Sequence, residues 1–340
     1  MFKQQLSMCM EGKTLTEQEA EQLMNEIMTG QATASQIASL LTVLRFRGET
    51  VDEMAGFAKA MRQHSITIPH QLEGVVDTCG TGGDDLSTFN ISTTTAIVLS
   101  AMGVKVAKHG NRAVSSKSGS ADVLEKLGIE IQSTPEEAVN VLKEKNLCFL
   151  FAPLYHQSMK HAVVPRKEIG FRTVFNLLGP LTNPARAKHQ LIGVYHADFA
   201  KKMAETLARL GTAHTLFVTG GEGLDECSIT APTSVVEVKG QEILSYTLTP
   251  EDVGLNYGKL EEIQVDTPEE SAALIRLVLQ GKANISAESI VVLNAGAALY
   301  AADKVDSIKA GVMAVKEAIS SGKVYEHFLS LQNQGESTNA

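Results

Sequence analysis

Beyond Pro69, short apolar runs alternate with segments of helical period, and this alternation leaves few architectures open. The pattern predicts strands at Val75–Asp77, Val104–Lys108, Leu147–Ala152, Gln190–Tyr195 and His214–Thr219. It predicts helices at Thr93–Met102, Ala121–Leu127, Pro135–Lys145 and Asp198–Leu210. Strands joined through helices pair in parallel, so the expected class is α/β with a mostly parallel sheet. Thr233–Leu248 differs: two alternating runs about Lys239-Gly240 read as an antiparallel hairpin. Helices follow at Pro268–Leu279, Glu288–Ala302 and Ile308–Ser320, and the chain ends in a polar tail, 332–340.

The first 70 residues follow another rule. Thr16–Glu19, Thr33–Gln36 and Thr50–Glu53 are three capping boxes in succession, each opening a helical segment. Apolar stripes such as Ala20, Leu23, Met24, Ile27 and Met28 give each helix one face to bury. A small N-terminal helical domain with a structural or dimerisation role is expected. The stretch from Tyr155 to Pro184 reads as helix, turn and loop, and gathers Lys160, His161, Arg166, Lys167 and Arg172 among Gly and Pro.

Charge narrows the partners. A net charge of −9 repels phosphate polymers and anionic lipid, so neither nucleic acid nor membrane is an expected partner. Cys9, Cys79, Cys148 and Cys227 are scattered, without the spacing of a zinc site or a disulfide frame. The start of the chain has no apolar leader, and the expected compartment is the cytoplasm.

Three loops at strand ends carry candidate chemistry. In VVDTCGTGGDDLSTFNIST, Gly80, Gly82 and Gly83 lie between a strand and a helix whose first turn holds Asn90, Ile91, Ser92 and Thr93. Glycines admit a ligand to the backbone, and free helix-start N–H groups attract anions. Alone, the segment is either a phosphate cradle or a tight turn. KVAKHGNRAVSSKSGS adds Lys108, His109, Arg112 and Lys117 at another strand end, either an anion site or a solvated face. GGEGLDECSIT puts Asp225 and Glu226 in a Gly-flanked loop, which suits Mg²⁺ bound through carboxylates and phosphate oxygens, or is an exposed acidic turn.

GTGGD at Gly80–Asp84, NIST at Asn90–Thr93, KHGNRAVSSKSGSADVLEKLG at Lys108–Gly128, FRTVFNLLGPLTNPA at Phe171–Ala185 and GLDE at Gly223–Glu226 closely resemble the anthranilate phosphoribosyltransferases. The resemblance runs over nearly the whole chain. It implies a helical domain, 1–70 joined by part of 160–181, hinged to a large α/β domain, 71–331, with Mg²⁺ dependence (two ions) and a homodimer. It places Gly80, Gly83, Asp84, Thr88, Asn90, Ile91, Ser92, Thr93, Lys108, His109, Gly110, Asn111, Arg112, Ala113, Val114, Ser115, Ser116 and Ser120 around phosphoribosyl diphosphate. Ser92, Asp225 and Glu226 match metal ligands. Gly80, Asn111 and Arg166 match anthranilate contacts, with His109 and Pro180 as walls. One departure is visible: His156-Gln157 stands where the family often has His-Pro, which leaves the local loop shape open. His156 itself reads as structural.

The implied reaction transfers the phosphoribosyl group to the anthranilate amine, a step of tryptophan biosynthesis that releases diphosphate. An aniline is neutral near pH 7, so the demand falls on the leaving group, and Lys108, Asp225 and Glu226 are the expected catalytic residues. His109 reads as a wall or donor rather than an acid–base. Two other readings stay open: a pyrimidine-nucleoside phosphorylase of the same fold, and a non-catalytic paralogue that binds nucleic acid.

Overall fold

The computed structural model describes residues 1–113 and 117–332. Val114, Ser115 and Ser116, expected at the phosphate site, and residues 333–340 of the expected tail lie outside the described residues. The strands are β1 (Val76–Gly80), β2 (Val106–Gly110), β3 (Leu147–Phe151), β4 (His189–Gly193), β5 (His214–Gly220), β6 (Thr233–Lys239) and β7 (Glu242–Leu248). They form one sheet in the order β3-β2-β1-β4-β5-β6-β7. Pairing is parallel from β3 to β5 and antiparallel from β5 to β7, as the alternation and the hairpin predict. The chain leaves β1 toward β2 and β3, then returns on the other side as β4. In such sheets the crevice beyond the carboxyl ends of the strands at this reversal is where ligands bind.

On one face, helices Ile91–Ala101, Pro268–Leu279, Ile285–Ala301, Ile308–Ser320 and Lys323–Gln332 bury a core that includes Val76, Ile97, Val106, Val218 and Val291. The other face takes helix Ala197–Leu210 and, beyond it, helices Phe2–Met10, Glu17–Met28, Ala34–Arg47 and Val51–Gln63. One apolar cluster there joins Leu23, Leu41 and Phe57 to Leu178, Met203 and the sheet residues Ile192 and Phe217.

All three predicted capping boxes are formed in both directions. Glu53 does more than close one. Its buried carboxylate also accepts the Leu15 N–H (2.9 Å) and pairs with Arg47 (2.6 Å), tying the first helix connection to the last. Removing one partner of such a buried pair costs about 3–5 kcal/mol. Gly56 lets two of these helices touch through their backbones, because a Cβ there would lie 2.1 Å from the Glu17 carbonyl oxygen.

Besides shifts of a few residues at element ends, the structure departs from the sequence reading at both ends of the chain and at the end of β1. Helix Phe2–Met10 has no side-chain cap, and its signal is correspondingly weak. Helix Lys323–Gln332 occupies the end of the described chain, taking in Gln332 of the expected tail. Strand β1 runs on to Gly80 rather than stopping at Asp77, because Gly80 pairs in register with Gly193.

At the opposite end of the sheet from the crevice, fully buried His214 bonds Asp303 through Nδ1 (2.8 Å) and Glu237 through Nε2 (3.0 Å). Burial alone would lower its pKa, but the hydrogen bonds and charges of Glu237 and Asp303 outweigh it and raise the value. A raised histidine stabilises the fold fully below its unfolded pKa of about 6.5 and stops doing so as pH rises through the folded value. Melting temperature should therefore fall more steeply in the parent than in His214→Gln as pH rises above about 6.5. Parallel melting curves would refute a charged His214.

Candidate active site

The crevice is built by close backbone approaches. Gly80 and Gly193 lie side by side at the ends of β1 and β4, and the acidic loop after β5 rests on both. A Cβ on Gly193 would sit 1.6 Å from the Asp225 carbonyl oxygen, and one on Gly80 would sit 2.4 Å from Asp225 Oδ2. That same Oδ2 accepts the Gly82 N–H (2.8 Å), so the acidic loop also shapes the glycine loop. Behind it, fully buried Asn294 accepts the Cys227 N–H (2.8 Å) and donates to the Cys227 carbonyl (2.9 Å), fixing the backbone beside Glu226. Neither Gly193 nor Asn294 stood out in the sequence, since a strand glycine and one polar residue in an apolar helix carry no local signature.

Glu226 accepts the Ser92 N–H (3.0 Å), so part of the helix start expected to be open to a phosphate is taken by a carboxylate. Lys108, almost fully buried, donates to the Thr78 carbonyl and to Ser92 Oγ (3.2 Å). Burial lowers its pKa, opposed mainly by Asp77. Burial, then Asp84 and Glu226, hold the Asp225 carboxyl well above the usual range. Burial also raises Glu226, and Lys108 offsets this only in part. Two enclosed carboxylates beside a serine hydroxyl form an all-oxygen donor set. Among the described residues there is no group of three His, Cys, Asp or Glu able to hold a metal. The hard oxygen donors of this set fit Mg²⁺, which takes one or two carboxylates and fills its shell with water and substrate oxygens.

Two contiguous lobes share Cys79, Gly80, Thr81, His109, Gly110, Asn111 and Asn176. The polar lobe also contains Gly83, Asp84, Thr88, Asn90, Ile91, Ser92, Lys108, Arg112, Ser120, Asp225 and Glu226. The apolar lobe adds Met61, Met159, Val163, Arg166, Phe175 and Pro180. Thr93 instead lines a separate cavity beside Leu124 and Phe149. Ala113 lies outside both lobes, with its N–H on Asp122 (2.9 Å).

Several of these side chains have structural partners. Asn90 accepts from Ser118 and Ser271 (both 2.7 Å), tying the glycine segment to the loop after β2. The Arg112 guanidinium is held by Asp122 and Glu125. Arg166 has its guanidinium 5.1 Å from the centre of the Phe175 ring, and burial lowers its pKa. Burial and the neighbouring His156 push His109 down to about 3, while burial pushes His156 to about 4. Both imidazoles are neutral at pH 7, His109 as a wall between the lobes.

Residues 72–325 match the glycosyl transferase family, a/b domain, and residues 3–65 match the helical bundle domain of the same family. The anthranilate phosphoribosyltransferase of Halalkalibacterium halodurans is 70% identical over 332 residues, 98% of this chain and 97% of that one. The crystal structure of the Thermus thermophilus anthranilate phosphoribosyltransferase superposes with a TM-score of 0.90 at 41% identity, over 96% of this chain and 98% of that one. The Saccharomyces cerevisiae enzyme in complex with PRPP and Mg gives 0.88 at 28% identity, covering 97% of each chain.

Gly193→Ala tests whether the close approach matters. Mutations in residues that support metal ligands cost about 10–100-fold in metal affinity. A loss of that size in Mg²⁺-dependent diphosphate binding, measured by calorimetry with circular dichroism unchanged, is expected; parent-like binding would refute it.

Proposed function

This chain belongs to the anthranilate phosphoribosyltransferase family, and we propose that it transfers the phosphoribosyl group of phosphoribosyl diphosphate to the amine of anthranilate with Mg²⁺, in tryptophan biosynthesis. The observation that carries the proposal is the division of the cleft: an oxygen-rich lobe with an acidic pair meets an apolar lobe with Arg166 at Gly80, His109 and Asn111. Phosphoribosyl diphosphate lies in the first lobe, against the glycine loop and the loop after β2, with its anomeric carbon toward the shared wall. Anthranilate lies in the second, its ring among Met61, Val163 and Pro180 and its carboxylate on the planar donor fork of Arg166.

The neutral amine attacks without prior deprotonation. As the bond from the anomeric carbon to diphosphate breaks, the proton left on nitrogen passes to the departing diphosphate or to water, since His109, pushed down to about 3, is too weak a base to take it. Asp225, Glu226 and Ser92 Oγ would hold Mg²⁺, two ions in all, whose charge would offset that developing on the leaving diphosphate. Lys108, beneath Ser92, adds fixed positive charge from the side of the sheet. Residues 1–70 with part of 160–181 close on 71–331, aligning amine and carbon and excluding water. A homodimer and a cytoplasmic location complete the proposal; among the described residues no helix is long and apolar enough to cross a membrane.

The assay is the loss of anthranilate fluorescence with phosphoribosyl diphosphate, with and without Mg²⁺. Asp225→Asn and Glu226→Gln should each lose about 2–4 kcal/mol of transition-state stabilisation. Near-parent rates in both at limiting Mg²⁺ would remove the metal assignment. Arg166→Ala should weaken anthranilate by about 1.5–3 kcal/mol and phosphoribosyl diphosphate much less. Arg166→Lys should restore only part, because a point charge cannot reproduce the fork. Equal losses for both substrates would place the carboxylate elsewhere.

A further inference from the structure

The glycine loop carries left-handed backbone beyond its glycines. Gly82 and Gly83 have φ of +65° and +81°, and two residues with side chains, Asp85 and Ser87, have φ of +59° and +56°. A Cβ disfavours the left-handed region, so this shape lasts only where neighbours hold it. Most of the support comes from the α/β part. Asp225 accepts from Gly82 (2.8 Å), Gln264 donates to the Leu86 carbonyl (2.9 Å), and Val265 N–H donates to the Ser87 carbonyl (2.8 Å).

Asp85 is held from elsewhere. Arg172 Nη2 lies 2.7 Å from Asp85 Oδ2, and its guanidinium stacks 4.8 Å from the centre of the Tyr195 ring. It also covers Gly83, where a Cβ would meet Arg172 Nε at 2.6 Å. Arg172 sits between helix Lys160–Ile169 and helix Val174–Leu178, the segment that gives Arg166, Phe175 and Asn176 to the apolar lobe.

We propose that Arg172 is a positioning residue that couples the two substrate lobes, through Asp85. This rests on the assignment of phosphoribosyl diphosphate to the polar lobe and anthranilate to the apolar one. A carboxylate bound at Arg166 fixes the segment carrying Arg172, which in turn fixes Asp85 and the loop amides facing the diphosphate. Each substrate then binds more tightly when the other is present, and linkage makes the two effects equal. Arg172 and Asp85 side chains are 32% and 71% exposed, and a pair so exposed adds little to stability. A coupling role and a structural one are therefore separable.

The test is calorimetry of phosphoribosyl diphosphate with Mg²⁺, alone and with saturating benzoate, which has the carboxylate of anthranilate but no attacking amine. In the parent, benzoate should tighten binding by about tenfold, within the usual range of such coupling. Arg172→Ala should bring that ratio close to one with the melting temperature unchanged, and Arg172→Lys should keep part of it. Asp85→Ala should lose the same ratio, and the double variant should be no worse than either single one, since both remove one contact. A parent ratio of one, or a full ratio in Arg172→Ala, overturns the proposal. So does loss in Arg172→Ala with retention in Asp85→Ala, which would mean direct contact with ligand. Parent turnover in the fluorescence assay keeps these failures distinct from failure of the function itself; its absence removes both.

Discussion

The acidic loop lies on two adjacent strand ends with no side chain between, and the rest of the cleft depends on that contact. Gly80 and Gly193 are in register on β1 and β4, and Asp225 occupies the space that two Cβ atoms would fill. From there one carboxylate oxygen reaches the Gly82 N–H, so the position of the acid sets the shape of the loop meant for phosphate. Asn294 secures Cys227, two residues on, by both backbone groups, from a helix in which its adjacent residues are apolar. A buried amide of this kind is costly when unpaired and rigid when satisfied, which suits a residue whose task is placement.

Electrostatics gives this geometry its use. Asp225 and Glu226 are enclosed together, close to Asp84, with Lys108 the nearby ammonium that opposes their charge. Low local dielectric raises the carboxyl pKa values, and it equally strengthens the attraction of a divalent cation to the ionised pair. An overall acidic chain can hold an anionic substrate in this way, by cation and backbone rather than by a basic surface. Arg112 illustrates the contrast: its charge, conspicuous in sequence, is spent on Asp122 and Glu125.

The division into two lobes follows from topology. The polar lobe is made by loops after β1, β2 and β5, all at carboxyl ends of parallel strands. The apolar lobe needs Met61 from the N-terminal helices and the stretch from Ala152 to Thr182, which packs with those helices in one apolar cluster. His109 and Asn111, at the end of β2, belong to both, so the polar and apolar lobes meet along neutral side chains.

Local chemistry was enough for much of this. Capping boxes are satisfied within four residues, and strand or helix periods show in any window, so the helices after Thr16, Thr33 and Thr50, the parallel strands and the hairpin could be read directly. The site motifs were legible because glycines, carboxylates and a basic loop fell at strand ends. Distant pairing was not legible. Nothing in the sequence says that Gly80 stays in β1, since its partner Gly193 is more than a hundred residues away. The sequence also does not show that Thr93 turns to a separate cavity while Ser92 meets Glu226, or that Arg172 rather than a nearer residue holds Asp85. Sequence by itself determined which elements form and which chemical groups the chain carries, because those depend on neighbours along the backbone. Tertiary structure decided which groups share a space and what charge each holds there, because close approach, burial and desolvation depend on what the rest of the chain packs against them.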